Sequence, residues 1–297
     1  MEAAANRADS PGKATGVAGD IIDIARYPLD DLDGPGGREL VAQCRSQLAD
    51  TGCVVLKGFI RPDALTALEA ESRRLAPTAH FNSTRTNPYN GSGDPTLPQD
   101  HPKNVFQRRD NGFVAGDQIG PDTLIRHLYE DPRLKHLVAR CVEAERIHEY
   151  ADPLAGLVIN VLRPGCQHPW HYDTNEFIVS LMTVEPEAGG TFEYCPGIRS
   201  PEGENYDAVG RVLAGERDQV QSLRLSPGDL QIFFGRYSLH RVAPVEGREE
   251  RHTLILGYAK NPGVIGRPER TRNIFGRVTQ AHLDAEERRH RADMLED

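Results

Sequence analysis

The feature that most limits the fold is a series of short apolar runs between residues 157 and 259, separated by turn-forming residues. These runs are rich in Val, Ile, Leu, Phe and Tyr, which is typical of strands. The predicted strands are Leu157–Arg163, Phe177–Val184, Thr191–Tyr194, Ser222–Leu225, Leu230–Phe234, Arg241–Val245 and Thr253–Ala259. So many short strands in one stretch predict a mainly β fold with flanking helices, built on a double-stranded β-helix (jelly-roll, cupin-like) core at about 150–262.

The chain before this region is predicted to be largely helical. Apolar residues at helical spacing, or strand-forming residues in a short run, predict helices over 37–50, 63–75 and 121–144 and a strand over 52–60. Asp63 is the expected N-cap of the second helix. Residues 76–120 are polar and rich in Pro, Asn, Gly and Asp, so a long irregular segment is expected there.

The ends of the chain differ in composition from its middle. Residues 1–18 are rich in Ala, Gly, Ser and Asp, which predicts a disordered tail. Because no internal repeat or clear boundary divides the remainder, residues 19–297 are expected to form a single domain.

Composition restricts the partners and the compartment. A net charge of -9 argues against nucleic acid or an anionic membrane as the main partner, and favours a small-molecule substrate. No apolar run is long enough to span a bilayer, and residues 1–7 do not resemble a signal peptide. The five cysteines are widely spaced, so reduced thiols in a cytoplasmic protein are expected. The oligomeric state stays open, a homodimer included.

Three residues have the spacing of a metal site. His171 and Asp173 are two positions apart, so on an extended segment their side chains point the same way, and His240 follows a later predicted strand. Two imidazoles and one carboxylate on one face of Fe(II) leave the other positions open for a cosubstrate and O2. Zinc accepts the same ligands, so the pattern defines the geometry more firmly than the metal.

An arginine eleven residues after His240 provides a cation near this metal site. A guanidinium binds a carboxylate through two parallel hydrogen bonds, and Thr253 shares the strand face of Arg251. We therefore expect Arg251 and Thr253 to bind 2-oxoglutarate. Asn160 lies between inward apolar residues of its strand, and either helps to bind this cosubstrate or satisfies a backbone group.

Several residues near the metal motif are candidates for substrate contacts. His168, Trp170 and Thr174 flank the motif, although His168 could equally orient a ligand and a lone Trp is more often part of a core. Arg108 and Arg109 lie in the polar segment, where one of them could bind a substrate carboxylate while adjacent arginines usually face solvent. Residues 197–221 are either a lid over the site or an ordinary surface excursion.

With these residues identified, the chain resembles the Fe(II)/2-oxoglutarate-dependent oxygenase superfamily. Within it, Trp170-His-Tyr-Asp-Thr-Asn-Glu-Phe177, Pro186-Glu-Ala-Gly-Gly-Thr-Phe-Glu-Tyr194, Pro196-Gly-Ile-Arg199 and Glu204-Asn-Tyr206 are similar to the carrier-free amino-acid halogenases and their hydroxylase relatives, including lysine hydroxylases. The resemblance covers roughly 155–260. It implies His171, Asp173 and His240 as iron ligands, Arg251 as the 2-oxoglutarate anchor, and substrate contacts from His168 and an Arg near 108–109.

One departure from this group bears on the reaction. The halogenases have Gly or Ala where this chain has Asp173, and that vacancy lets chloride bind the iron. The carboxylate therefore predicts hydroxylation of an unactivated C–H bond in a small polar substrate, best a free amino acid or derivative, with release of succinate and CO2. Desaturation or cyclisation with the same cofactors, a non-catalytic metal-binding cupin, and an oxygen-independent metal hydrolase or isomerase are the alternatives.

Overall fold

The computed structural model describes residues 20–287. Within them the α-helices are α1 Pro35–Thr51, α2 Pro62–Leu75, α3 Leu124–Glu130, α4 Pro132–Cys141, α5 Tyr206–Leu213, α6 Pro268–Phe275 and α7 Gln280–Glu286. Short 3-10 helices occur at Leu29–Asp31, Ala76–Thr78, Pro102–Asn104 and Gly116–Gln118. The strands are β1 Cys53–Leu56, β2 His80–Thr86, β3 Gln107–Val114, β4 His148–Glu149, β5 Leu157–Leu162, β6 His168–His171, β7 Ile178–Val184, β8 Ala188–Gly189, β9 Phe192–Cys195, β10 Gln221–Leu223, β11 Leu230–Phe233, β12 Leu239–Val242, β13 Val245–Glu246, β14 Arg251–Leu256 and β15 Tyr258–Ala259.

Two antiparallel sheets form the core. The larger has the order β1-β11-β7-β14-β5-β3-β2, and the smaller has the order β10-β9-β12-β6. Pairing of non-consecutive strands, such as β14 between β5 and β7, is the crossed connectivity of a jelly roll. Two short pairs, β13-β8 and β15-β4, complete the described strands.

Alternation along the strands separates an outer helix-covered face of the large sheet from an inner face. Leu254 and Leu256 of β14 point outward into the largest apolar cluster, which also contains residues of α1, α2 and α4. Cys53, Phe192 and Phe233 come from both sheets and pack between them. Because side chains alternate with a period of two, Arg251 and Thr253 of β14 face inward. The space between the sheets therefore contains the polar residues that the motifs singled out.

The sequence predictions for the N-terminal half need three corrections. The segment 76–120 is not irregular throughout, because β2 and β3 pair over seven residues from His80–Phe113 to Thr86–Gln107. The helix predicted over 121–144 is two helices separated at Asp131 and Pro132, where Asp131 caps α4 and the proline occupies its first turn. Asp63 is not the N-cap of α2, because Arg61 has that position and the helix begins at Pro62.

Other predictions agree more closely or fall outside the described residues. Helix α1 and strand β1 lie where they were expected, and the strands predicted after residue 155 are present with boundary shifts of a few residues. The segment 197–221 contains α5, whose buried residues pack against Trp170 and Leu239. The predicted tail, residues 1–18, lies outside the described part of the chain. No helix among the described residues is long and apolar enough to cross a membrane.

Candidate metal centre

His171, Asp173 and His240 meet at one end of the smaller sheet. Strands β6 and β12 pair so that His171 and His240 are direct cross-strand partners, and their ring centroids lie 4.1 Å apart. Asp173 follows β6 in a loop, and its backbone N–H donates to the carbonyl of Gly235 at 3.1 Å. One ligand atom from each of the three residues lies within 4.8 Å of the others. The sequence motif and the tertiary structure thus describe the same cluster.

The backbone fixes the tautomer of both imidazoles. Nδ1 of His171 lies 2.8 Å from the carbonyl oxygen of Pro169, and Nδ1 of His240 lies 2.9 Å from that of Ser238. A carbonyl oxygen only accepts, so each Nδ1 carries the proton and donates it. Each Nε2 therefore presents a lone pair toward the centre of the cluster, as a metal ligand requires.

The carboxylate completes this donor set. Oδ2 of Asp173 is 3.3 Å from Nε2 of His240, and Oδ1 is 3.8 Å from Nε2 of His171. Ligands at right angles on an ion, each at about 2.1 Å, lie about 3 Å apart, so these separations suit one shared cation. Burial raises the pKa of Asp173, but its electrostatic interaction with His240 and His171 outweighs burial and lowers the pKa to about 2, so the carboxylate is ionised. The residues present fit a divalent metal ion.

Gly235 leaves the space that the Asp173 carboxylate occupies. A Cβ atom on Gly235 would lie 1.9 Å from Oδ2 and 2.8 Å from Cγ of Asp173. Real Cβ contacts are essentially never shorter than 3.0 Å. A side chain at position 235 would therefore displace the carboxylate from the two imidazoles.

A bulge in β6 brings His168 to the same side as His171. His240 is opposite His171 and Val242 is opposite His168, so three steps along β6 match two along β12. The imidazoles of His168 and His171 stack with centroids 3.8 Å apart. Burial, followed by the charge of Arg109, lowers the pKa of His168 well below its ordinary value. The neutral ring of His168 thus lies beside the metal ligands.

The residues predicted to hold 2-oxoglutarate come together on the inner face of the large sheet. Thr253 is the cross-strand partner of Asn160, and the Nη1 group of Arg251 donates to Oγ1 of Thr253 at 2.6 Å. The Nε atom of Arg251 is buried and has no hydrogen-bond partner within residues 20–287, and burial lowers the pKa of this residue to about 10. A buried guanidinium with an unused donor fits an anionic ligand such as a carboxylate. Asn160 accepts a hydrogen bond from Asn111 at 3.3 Å.

The two neighbouring arginines of β3 face opposite sides. Arg108 is mostly exposed and pairs with Asp110 at 2.6 Å, so it does not reach the site. Arg109 points inward, where its Nε donates to Asn111 at 2.9 Å and its guanidinium lies 5.5 Å from the ring centre of Phe113. Of these two arginines, only Arg109 lies on the inner face of the large sheet, which faces the His-Asp-His cluster.

Of the other candidate substrate contacts, Trp170 lies away from the His-Asp-His cluster and Thr174 hydrogen-bonds to its neighbour in the chain. Trp170 is buried on the outer face of the small sheet, where it packs with Tyr172 and Leu239 under α5. The guanidinium of Arg241 lies 4.8 Å from the centre of its ring. The structure therefore places Trp170 in a core and not at the site. The hydroxyl of Thr174 bonds to Asn175 at 3.2 Å.

The buried ion pair between Arg199 and Glu204, which the sequence did not predict, supports the loop after β6 that carries Asp173. Arg199 and Glu204 pair at 2.9 Å, and the guanidinium of Arg199 lies 3.7 Å from the ring centre of Tyr172, the residue between the first two ligands. Nε of Arg199 also donates to the carbonyl of Arg236 at 2.6 Å, and Arg236 donates to the carbonyl of Thr174 at 3.2 Å. This explains the Pro196–Arg199 and Glu204–Tyr206 motifs as a support for the loop that holds Asp173.

Arg270 is a second residue at the site that the sequence did not single out. It lies on α6, whose residues contact β2 and β3. Burial lowers the pKa of Arg270, while Asp173 and Tyr150 act in the opposite direction, so its guanidinium lies within electrostatic range of the metal ligand. In the sequence it stands in an ordinary charged run with Arg267, Glu269 and Arg272.

Comparisons with known proteins agree with this geometry. A family model described as Halogenase D (HalD) matches residues 99–267, more than half of the 297 residues. The chain belongs to the halogenase D family. No curated protein matches the sequence of this family member.

Solved structures show the same fold at low sequence identity. AviO1 from Streptomyces viridochromogenes Tue57 is 19% identical with a TM-score of 0.51, and the match covers 73% of this chain and 94% of AviO1. The non-heme α-ketoglutarate-dependent carbocyclase SnoK from nogalamycin biosynthesis is 14% identical with a TM-score of 0.51, covering 73% of this chain and 82% of SnoK. The corresponding epimerase SnoN is 16% identical with a TM-score of 0.50, covering 75% and 81%.

These findings confirm the jelly-roll fold class and the assignment to the Fe(II)/2-oxoglutarate oxygenase superfamily. The His-Asp-His cluster provides three ligands for a divalent metal ion, and Fe(II) with 2-oxoglutarate fits this donor set.

Proposed function

We propose that this protein hydroxylates an unactivated C–H bond of a small polar substrate, such as a free amino acid or a derivative, with release of succinate and CO2. The observation that carries the proposal is the Asp173 carboxylate, whose oxygens lie 3.3 and 3.8 Å from the Nε2 atoms of His240 and His171. The halogenases that this segment resembles have Gly or Ala at that position. When bound to such a triad with 2-oxoglutarate, Fe(II) supplies the oxidising chemistry.

The carboxylate decides between oxygen and halide transfer by occupying a coordination position. Two imidazoles and one carboxylate would hold Fe(II) from one side, and the carboxylate would take the ligand position that a halide would need. A halide then has no position of its own. Family membership in halogenase D thus describes the ancestry of the chain, and Asp173 supports the hydroxylase reaction.

The residues around the ligands have supporting roles in this proposal. Backbone carbonyls of Pro169 and Ser238 hold the two imidazoles in the metal-binding tautomer. Arg251 and Thr253 bind the distal carboxylate of 2-oxoglutarate on the inner face of the large sheet. The neutral ring of His168, stacked at 3.8 Å on His171, faces the substrate side.

The test is product analysis with free amino acids. Protein supplied with Fe(II), 2-oxoglutarate, ascorbate and oxygen-18 gas is incubated with the proteinogenic amino acids in buffer containing chloride. We expect a product that has gained one labelled oxygen, with one succinate per turnover and no chlorinated species. A chlorinated product, a product that has lost two hydrogens without gaining oxygen, or no turnover with any amino acid would contradict the proposal.

A matched variant tests the role of the carboxylate. Asp173→Gly removes the ligand and leaves the two imidazoles, so we expect hydroxylation to be lost. Arg108→Gln is the control, because Arg108 is exposed and paired with Asp110 away from the site. Unchanged hydroxylation by Asp173→Gly would show that the carboxylate does not determine the reaction.

A further inference from the structure

The guanidinium of Arg270 is a buried cation with an unused donor beside the candidate metal centre. Its Nη1 atom has no hydrogen-bond partner among the described residues. The groups that favour its charge are Asp173 and Tyr150, and Asp173 belongs to the metal cluster. Burial of a charged donor is costly unless a partner accepts its hydrogen bond, so an anionic group that accepted from Nη1 would be bound favourably.

A second guanidinium lies close to the first. Burial and the charge of Arg270 lower the pKa of Arg109 to about 10. The Nε group of the Arg109 side chain donates a hydrogen bond to Asn111 at 2.9 Å. The neighbouring acid Asp110 does not neutralise it, because that carboxylate pairs with Arg108 and accepts a hydrogen bond from Ser83, both at 2.6 Å.

The side-chain charges that act most strongly on the His168 ring, which stacks on His171, are positive. After burial, the groups that lower the pKa of His168 are Arg109, His240, Arg270 and Arg251. Since an uncompensated pair of like charges is unfavourable, the cluster has the electrostatics of an anion site. A substrate ammonium group at this end would face the positive charges of Arg109 and Arg270.

Helix α6 is held in place, so Arg270 is a fixed part of the site. The carboxylate of Asp152 accepts a hydrogen bond from the backbone of Gly266 at 2.8 Å, before the helix, and lies 3.1 Å from Nε2 of His282, after it. Phe275 at the end of α6 packs edge-on against Phe113 of β3 at 6.1 Å. These contacts hold the chain on both sides of Arg270, through Asp152 and through Phe113 of β3.

We infer that Arg270 and Arg109 together bind two negative charges of the substrate, so that its end facing α6 and β3 carries a second carboxylate or a phosphate monoester. The inference rests on the proposed function, because it takes the space beside the metal cluster to be the substrate site. It narrows the substrate class from amino acids in general to acidic ones, and it makes Arg270 a specificity-determining residue. Lysine and other cationic amino acids are disfavoured on the same grounds.

The experiment compares ligands that differ by one charged group. Protein loaded with redox-inert Ni(II) and saturating 2-oxoglutarate is titrated calorimetrically with L-glutamate and L-glutamine, and with O-phospho-L-serine and L-serine. Saturating 2-oxoglutarate prevents the probes from occupying the Arg251 site. We expect the charged member of at least one pair to bind at least about tenfold more tightly, as a charge-assisted hydrogen bond to a buried cation provides. The pair that discriminates identifies the second group as carboxylate or phosphate.

Substitutions in α6 test whether Arg270 causes the preference for charged over neutral probes. Arg270→Gln should reduce the charged-over-neutral ratio to about one and leave the affinity for 2-oxoglutarate unchanged, whereas Arg270→Lys, which keeps the charge, should retain part of it. Arg272→Gln, an exposed arginine on the same helix, should leave the ratio as in the wild type. Equal binding within both pairs by the wild type, or an undiminished ratio in Arg270→Gln, would overturn the inference.

The outcomes separate this inference from the proposed function. Hydroxylation of a neutral or cationic amino acid, with no preference for a second negative charge, leaves the proposed function standing and removes the anion site. Tight binding of a charged probe that is lost in Arg270→Gln, together with chlorination or no oxygen transfer to it, leaves the anion site and removes the hydroxylase reaction.

Discussion

Adding one methyl group at position 235 should weaken metal binding and leave the stability of the metal-free fold unchanged. In Gly235→Ala the new Cβ would lie 1.9 Å from Oδ2 of Asp173, whereas tolerated contacts begin at 3.0 Å. The difference, 3.0 − 1.9, requires the carboxylate to move by at least about 1.1 Å. In enzyme active sites, a misplacement of about 1 Å can lower the reaction rate roughly a hundredfold. The three nearest atoms all belong to the Asp173 side chain, so the strain falls on the metal ligand.

The assay is anaerobic titration of the metal-free protein with Fe(II), combined with thermal unfolding. We expect the affinity of Gly235→Ala for Fe(II) to fall by about 10- to 100-fold, while the metal-free protein unfolds near the wild-type temperature. Gly120→Ala is the control, since a Cβ on Gly120 would meet no atom within 4 Å.

A double variant checks the route of the effect. In Asp173→Gly the displaced carboxylate is absent, so adding Gly235→Ala should produce no further loss of Fe(II) affinity. Wild-type affinity in Gly235→Ala, or an equal loss with and without Asp173, would refute the reasoning that Gly235 acts through this ligand.

Three more outcomes are expected. Arg199→Met removes the guanidinium that pairs with the buried Glu204 carboxylate and should lower the free energy of unfolding by about 3–5 kcal/mol, measured by urea denaturation, with Arg199→Met/Glu204→Leu recovering part of the loss. Burial raises the pKa of Cys53 from its ordinary 9.0 to about 11, so the unfolded chain releases this proton first as pH rises. As pH rises between these values the protein should lose stability, by about 3 kcal/mol, and Cys53→Ala should show a shallower alkaline decline. Fe(II) at a hundred times its Kd should stabilise the wild type by about 2.7 kcal/mol, and His240→Ala should show no such effect in thermal unfolding.

The cluster of His171, Asp173 and His240 could be predicted from sequence because the spacing that defines it is local. The two-residue spacing of His171 and Asp173 already defines a shared direction, and His240 follows a recognisable strand. Arg251 and Thr253 were accessible for the same reason, since alternation on one strand places both on one face. The register of β14 with β5 then adds Asn160 as the partner of Thr253.

The secondary-structure prediction was wrong where polar residues replace apolar ones on the inner face of a strand. Strand β3 has Arg109 and Asn111 on its inner face, so the alternation that normally marks a strand is absent, and β2 beside it is polar and partly exposed at a sheet edge. The strand pair was therefore predicted as an irregular segment. Only pairing with β5 reveals that Arg109 points toward the metal side.

Residues brought to the site by tertiary contacts alone were beyond sequence reasoning. Arg270 lies ninety-seven positions after Asp173, in a charged segment that looks like a solvated surface, and only the docking of α6 on β2 and β3 places it near that carboxylate. Arg199 stood in a recognised motif, but its stacking on Tyr172 could not be read from spacing. Trp170 flanks the metal motif in sequence, yet it packs on the opposite face of the sheet.

The most direct test of the account is anaerobic titration of the metal-free protein with Fe(II) and 2-oxoglutarate, monitoring the weak visible charge-transfer band of the keto-acid chelate. We predict that the band appears in the wild type, weakens strongly in Arg251→Ala, and persists in Arg248→Ala, a control whose side chain is 92% exposed. Absence of the band with Fe(II) demonstrably bound, or an equal band in Arg251→Ala, would contradict the assignment of this site.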